Sequence, residues 1–235
     1  MKMLVFVPDQ DTPGKRDVSG AFLPEARAFA RYHLAAPEDV IKRFPANAPL
    51  EQRRATCTLA IKTAAAPLDV IAFFCHGWRA GIQAGFMRQH NLLLARLLRV
   101  HAKPDAHVLF YACDTGRDED ALTADDREPG PGGDGGFADG VRDACEALGM
   151  RVTVLGHTTA GHCTENAHAR YFAPGCGGKG GHWYVEPGSA LWPMWRAALR
   201  DPRSNLRYRF WEMTPDEIAA ELRGPAAPPP APLVA

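Results

Sequence analysis

The sequence predicts an α/β fold with a mostly parallel central sheet and helices on both faces. Three observations carry that prediction. Residues 69–75 (DVIAFFC) and 107–113 (HVLFYAC) are continuous apolar runs, as expected of strands covered on both faces rather than one. Between them, residues 86–101 (FMRQHNLLLARLLRVH) repeat leucine at three- and four-residue spacing, which marks an amphipathic helix. The same strand–helix–strand alternation recurs along residues 1–155, and such units close as right-handed parallel crossovers.

Each element has its own local warrant. Residues 3–7 (MLVFV) are a short apolar run stopped by Pro8 and Asp9, which reads as a first strand. Residues 22–35 and 49–65 carry helical patterns. Residues 137–148 (FADGVRDACEAL) do so as well, with Gly149 as the stop. Residues 151–155 (RVTVL) read as a further strand. Beyond residue 160 the pattern dissolves into Gly, His and small polar residues. Residues 183–211 hold four of the five tryptophans and predict a short helix near 189–199 plus one further strand or turn. Thr214-Pro215-Asp216-Glu217 combines an N-cap, a first-turn proline and acids at the positive helix end, so a last helix runs to Gly224. The expected domains are 1–172 as the catalytic unit, 173–223 as a Trp-rich extension packed on it, and 224–235 as a Pro-rich disordered tail.

Composition narrows the function classes. The 235 residues include 27 Lys plus Arg and 27 Asp plus Glu, so there is no basic excess to neutralise phosphates, and a nucleic-acid partner is not expected. No apolar run approaches the roughly 18–20 residues of a membrane span. Of the 22 glycines and 20 prolines, 20 cluster at 129–140, 174–181 and 224–232, which points to two loops and a tail rather than general disorder. The six cysteines form no CxxC pair, and a chain of this size needs no disulfide framework. The apolar start is too short for a signal-peptide core. A reduced, cytoplasmic protein is expected, or one exported without a cleaved signal.

Chemistry concentrates at the ends of the two buried strands. The first closes as Phe74-Cys75-His76-Gly77-Trp78, the second as Tyr111-Ala112-Cys113-Asp114-Thr115-Gly116. Open parallel sheets bind ligands at the carboxyl ends of their strands. If these two strands are neighbours, His76 and Cys113 sit side by side on one rim. A thiolate nucleophile needs a base nearby, and acyl transfer needs amide donors for the oxyanion. The amides of Gly77 and Cys113 are the expected donors, with Gly77 admitting substrate because it lacks a Cβ.

These residues resemble the caspase-like (clan CD) cysteine peptidases, the group of caspases, metacaspases, legumain, gingipain, clostripain, separase and CHAT-type domains. In that group a His-Gly pair follows one buried strand, and a small residue plus Cys ends the next. His76-Gly77 and Ala112-Cys113-Asp114-Thr115-Gly116 match, and GHTTAG at 156–161 follows the next strand. The resemblance covers roughly residues 1–172. It implies a three-layer caspase-like fold and a cysteine endopeptidase with Cys113 as nucleophile and His76 as general acid/base. It also implies a substrate loop near 156–168, a protein or peptide substrate, and no cofactor. Substrate-binding candidates are Trp78, Asp114, His157, Thr158 and Thr159. No single family's specificity residues match.

Plainer readings stand beside these. Cys113 alone reads as a structural cysteine, since free Cys is among the most buried residue types. Cys75 is a rival nucleophile, but its neighbour His76 faces the other side of the strand, so Cys75 packs inside. Asp114 either tunes the thiol, meets a basic substrate side chain, or caps a turn. Thr115 and Gly116 shape that turn. His157, His162, Cys163, His168, Cys176 and His182 raise a zinc site, but their spacings match structural zinc patterns only loosely. No metal is expected, and the milder reading is a polar loop lining the cleft. The leucines of 86–101 and the tryptophans of 183–211 read as core. Arg196, Arg200, Arg203, Arg207 and Arg209 read as a solvated face.

Two other functions remain open. A non-catalytic caspase-like interaction module would keep the fold and bind a regulatory or inhibitory protein. An α/β-hydrolase-type esterase would need a G-x-S-x-G elbow, which is absent, and Tyr111 is too large for that elbow. Export into a rival or host cell, with the tail or Trp-rich segment held by a partner, is a further expectation. Residues 114–136 are long, acidic and then Gly-rich, which suggests a lid or a self-cleavage site.

Overall fold

The computed structural model describes residues 1–9, 20–65, 67–118, 133–161, 163–175 and 180–224. The expected disordered tail from 225 onward, most of the loop beyond Cys113, His162 and Cys176 lie outside them.

The fold is a three-layer α/β sandwich. Its seven-stranded sheet is made of β1 (Met3–Pro8), β2 (Ile41–Phe44), β3 (Leu68–Phe74), β6 (Ala102–Tyr111), β7 (Thr153–His157), β8 (Ala169–Phe172) and β9 (His182–Trp183). The spatial order is β2-β1-β3-β6-β7-β8-β9. The first five strands in that order run parallel, while β8 and β9 pair antiparallel. A small antiparallel hairpin, β4 (Gly77–Trp78) and β5 (Gly81–Ile82), stands outside the sheet directly after β3.

The continuous apolar runs serve both faces because successive side chains alternate. Leu4, Phe6, Ile71, Phe73, Val108 and Phe110 point one way, into a core shared with α3 (Leu50–Thr63), α4 (Asn91–His101) and α5 (Phe137–Ala147). Val5, Val7, Val70, Phe74, Leu109 and Tyr111 point the other way. There they meet Phe22 and Phe29 of α1 (Phe22–Tyr32), Trp195 and Leu199 of α6 (Trp192–Arg200), and Ile218 of α8 (Pro215–Arg223). Burying each such side chain fully stabilises by about 1.5–3 kcal/mol. Aromatic rings mark both layers. Phe6, Phe73 and Phe110 stack across three neighbouring strands on the first face. Phe74 stacks on Tyr111 with centroids 4.5 Å apart on the second.

The described residues of 180–223 complete this second layer. Trp195 and Trp211 are buried, and Trp195 Nε1 donates to the Ala167 carbonyl at 3.0 Å. The last helix starts as its sequence predicts. The Thr214 hydroxyl accepts from the Glu217 amide, Glu217 answers to the Thr214 amide, and Gly224 ends it at φ 71°.

Several boundaries differ from the sequence reading. β6 begins at Ala102 and ends at Tyr111, not 107–113, so Cys113 lies beyond the strand. Its early part carries a bulge opposite Leu68–Val70. That leaves Lys103, Pro104 and Asp105 exposed, where a proline without an N–H is tolerated. The predicted helix from 86 begins at Asn91, after a short 3₁₀ turn at Arg88–His90. Its Leu94, Leu97 and Leu98 are core as expected, but Leu92 and Leu93 are exposed. Two short elements, α2 (Pro37–Val40) and β2, and the antiparallel pair β8–β9 were not anticipated. The last short helix, α7 (Leu206–Arg209), buries Arg207, which corrects its reading as part of a solvated face.

Candidate active site

β3 and β6 are parallel neighbours, and their last paired residues are Phe74 and Tyr111. His76 and Cys113 each stand two residues further on, at the carboxyl edge of the sheet. His76 lies on the face of Phe74. The His76 ring meets Phe22 of α1 edge-on there, with centroids 4.9 Å apart. Cys75 and Ala112 fall on the opposite face and belong to the other core.

The two motifs touch through backbone. A Cβ built on Gly77 would stand 2.6 Å from the Cys113 carbonyl oxygen and 2.8 Å from the Ala112 Cβ. Glycine at 77 and a small residue at 112 are therefore what lets the His-Gly turn lie against Cys113. The hairpin β4–β5 fixes that turn. The His76 amide donates to the Gln83 side-chain oxygen at 3.2 Å, and the Gln83 amide donates to the His76 carbonyl at 2.8 Å.

The residues after Cys113 form a tight turn, and each has a structural task. Asp114 adopts a left-handed φ of 57°, which Asp tolerates better than most residues. Its carboxylate accepts from Arg117 Nη1 at 3.2 Å, and both side chains are buried. The Thr115 hydroxyl donates to the Ala112 carbonyl at 3.0 Å. Gly116 passes against Gly156 of β7, where a Cβ would be 2.7 Å from the Gly156 carbonyl oxygen, and its amide donates to the His157 carbonyl at 2.8 Å. The Ala138 amide of α5 donates to the Thr115 carbonyl at 2.9 Å. Cys113 is thus held from both sides by rigid elements.

Among the described cysteines, Cys113 alone is not fully buried. Burial pushes the Cys75 and Cys145 thiols up to about 12, and raises Cys57 and Cys163 as well. The Cys163 thiol is raised chiefly by burial and further by Glu25, Cys113 and Cys75.

The candidates on the β7 side divide. His157 is buried beside Tyr111, with ring centroids 5.8 Å apart, and burial lowers it to about 3. Its Nε2 and the Tyr111 hydroxyl have no hydrogen-bond partner among the described residues. Thr158 is buried too, its amide donating to the His168 carbonyl at 2.9 Å. Thr159 donates to Asn166 Oδ1 at 3.2 Å and accepts Asn166 Nδ2 on its carbonyl at 3.0 Å. Of these three, Thr159 alone reaches a surface cavity of about 430 Å³, lined also by Glu165, Asn166, His168, Arg196 and Arg200. His76, Cys113 and Trp78 do not line it. Trp78 sits half-buried in the hairpin.

One network escaped the sequence reading. Glu25 of α1 accepts the Thr164 amide at 2.9 Å and also its hydroxyl, which Arg207 in turn reaches at 3.0 Å. Arg207 also pairs with Glu165 at 3.2 Å and with Glu25 at 3.7 Å. This pins the loop after β7 to α1 and α7. The only sequence signal is a run of arginines, which does not reveal partners more than forty residues away. Among the described residues, no three His, Cys, Asp or Glu side chains come together in a way that could hold a metal ion. None of the described helices is long and apolar enough to cross a membrane.

No protein-family model and no curated protein matches the chain. The caspase-like resemblance therefore rests on the residues just described.

Proposed function

We propose that the chain is a caspase-like cysteine endopeptidase working through a His76/Cys113 dyad. The observation that carries the reading is the approach of Gly77 to the Cys113 carbonyl, which joins the His-Gly and Ala-Cys motifs at one sheet edge. Partial exposure of Cys113, against four buried cysteines, supports it.

In the proposed cycle the Cys113 sulfur attacks the peptide carbonyl carbon. The amides of Gly77 and Cys113 stabilise the resulting oxyanion. His76 donates a proton to the leaving amine, the C–N bond breaks, and a thioester remains on Cys113. His76 then takes a proton from water, which attacks the thioester and releases the acid and the thiol. Asp114, given its bond to Arg117, belongs in this reading to the turn that aims Cys113 and not to substrate.

The test is trapping. A pool of peptidyl acyloxymethyl ketones should add to Cys113 and to no other described cysteine, located by peptide mapping. His76→Ala should slow that addition. Labelling spread evenly over the thiols, or unaffected by His76→Ala, would overturn the reading.

A further inference from the structure

The 430 Å³ cavity beyond β7 has walls of two kinds. One wall is the loop segment where Thr159, Asn166 and the backbone around His168 hold one another by hydrogen bonds of 3.0–3.2 Å. It is set before any ligand arrives, which lowers the cost of binding. The other wall is α6, which supplies Arg196 and Arg200, four residues apart and hence on one helical face.

Neither guanidinium has an ion-pair partner among the described residues. Arg196 lies close enough to His168 to oppose its protonation, after burial, which is the larger cause. The one acid in the lining, Glu165, turns its carboxylate to Arg207 at 3.2 Å. Two unpaired positive charges thus face a cavity of small-molecule size.

We propose that this cavity binds a carboxylate-bearing ligand, with Arg196 and Arg200 as its anchors. The guanidinium fork matches a carboxylate in plane and spacing, and such charged pairs are among the stronger hydrogen bonds. Thr159 and Asn166 shape the opposite wall, and their polar atoms are mainly spent on each other. Because neither His76 nor Cys113 lines the cavity, the site stands or falls apart from the peptidase reading.

Calorimetric titration of the full chain at low salt tests this with glutarate, N-acetyl-glutamate amide, uncharged glutaramide and inorganic phosphate. Saturable one-to-one binding of glutarate or of the glutamyl amide is expected, with none of glutaramide. Tighter binding of free glutarate would indicate a small-molecule ligand, and tighter binding of the glutamyl amide an acidic side chain. Arg196→Ala and Arg200→Ala should each weaken binding by roughly 10-fold or more. Both residues are exposed, so thermal unfolding of the variants should match the parent. Absence of saturable binding to either carboxylate, tighter binding of phosphate than of both, equal binding of glutaramide, or unchanged affinity in the double variant would overturn it.

Discussion

The α-carbon of Gly77 lies against the carbonyl of Cys113, so closely that a β-carbon there would be 2.6 Å from the oxygen. Real β-carbons do not approach that near, and the same β-carbon would also stand 2.8 Å from the Ala112 β-carbon. Gly77→Ala must push the hairpin β4–β5 away from β6. Overpacking of this kind costs typically 1–3 kcal/mol. Urea unfolding of Gly77→Ala should show a loss of that size, and an unchanged midpoint would contradict the contact.

Asp114 offers a second test of the same turn. Its left-handed φ disfavours most side chains, and its carboxylate partners a buried arginine. Asp114→Asn keeps a residue that tolerates the backbone and can still accept from Arg117. Asp114→Ala loses both, giving up a buried hydrogen bond to a charged group of the kind worth about 1.5–3 kcal/mol. Thermal unfolding should therefore rank the parent first, Asn second and Ala clearly last.

Much of this was legible because it is local. The alternation of one strand decides that Cys75 faces the core while His76 faces the rim, and the structure buries Cys75 accordingly. The capping box of the last helix is likewise written in four consecutive residues. What was missed depends on distant partners. Arg207 is buried only because Glu25 and Thr164 come to it from elsewhere in the chain. β2 has four residues, two of them basic, and is a strand because it lies on β1 as an edge. The early start of β6 depends on a bulge that no apolar pattern announces. His157 and Thr158 sit in a polar stretch, yet both are buried, His157 against Tyr111 of the neighbouring strand.

Burial of His157 makes stability depend on pH. Its folded pKa lies at about 3, mainly because burial disfavours the charged form. The unfolded chain takes up that proton near pH 6.5. The stabilising contribution is full above pH 6.5 and declines as pH falls towards 3, by about 1.4 kcal/mol per unit. Burial shifts His33, His107 and His168 the same way. Unfolding free energies measured between pH 7 and pH 4 should fall more steeply for the parent than for His157→Phe. Equal slopes would contradict a neutral, buried His157.

Cysteine reactivity should follow exposure. Iodoacetamide at neutral pH under native conditions should modify Cys113 well before Cys57, Cys75, Cys145 and Cys163. Peptide mapping over time reads the order. Equal rates across these five would favour a non-catalytic module over an enzyme.

The central claim is that Cys113 and His76 together cleave peptide bonds. The most direct measurement is the initial rate of cleavage of a mixed peptide library by the parent, Cys113→Ala, His76→Ala and Cys75→Ala proteins. The account predicts cleavage by the parent and a loss of about 10⁴-fold or more in Cys113→Ala, in line with other removed nucleophiles. It predicts a comparably severe loss in His76→Ala and retained activity in Cys75→Ala. Cleavage of the same bonds at the parental rate by Cys113→Ala would contradict it.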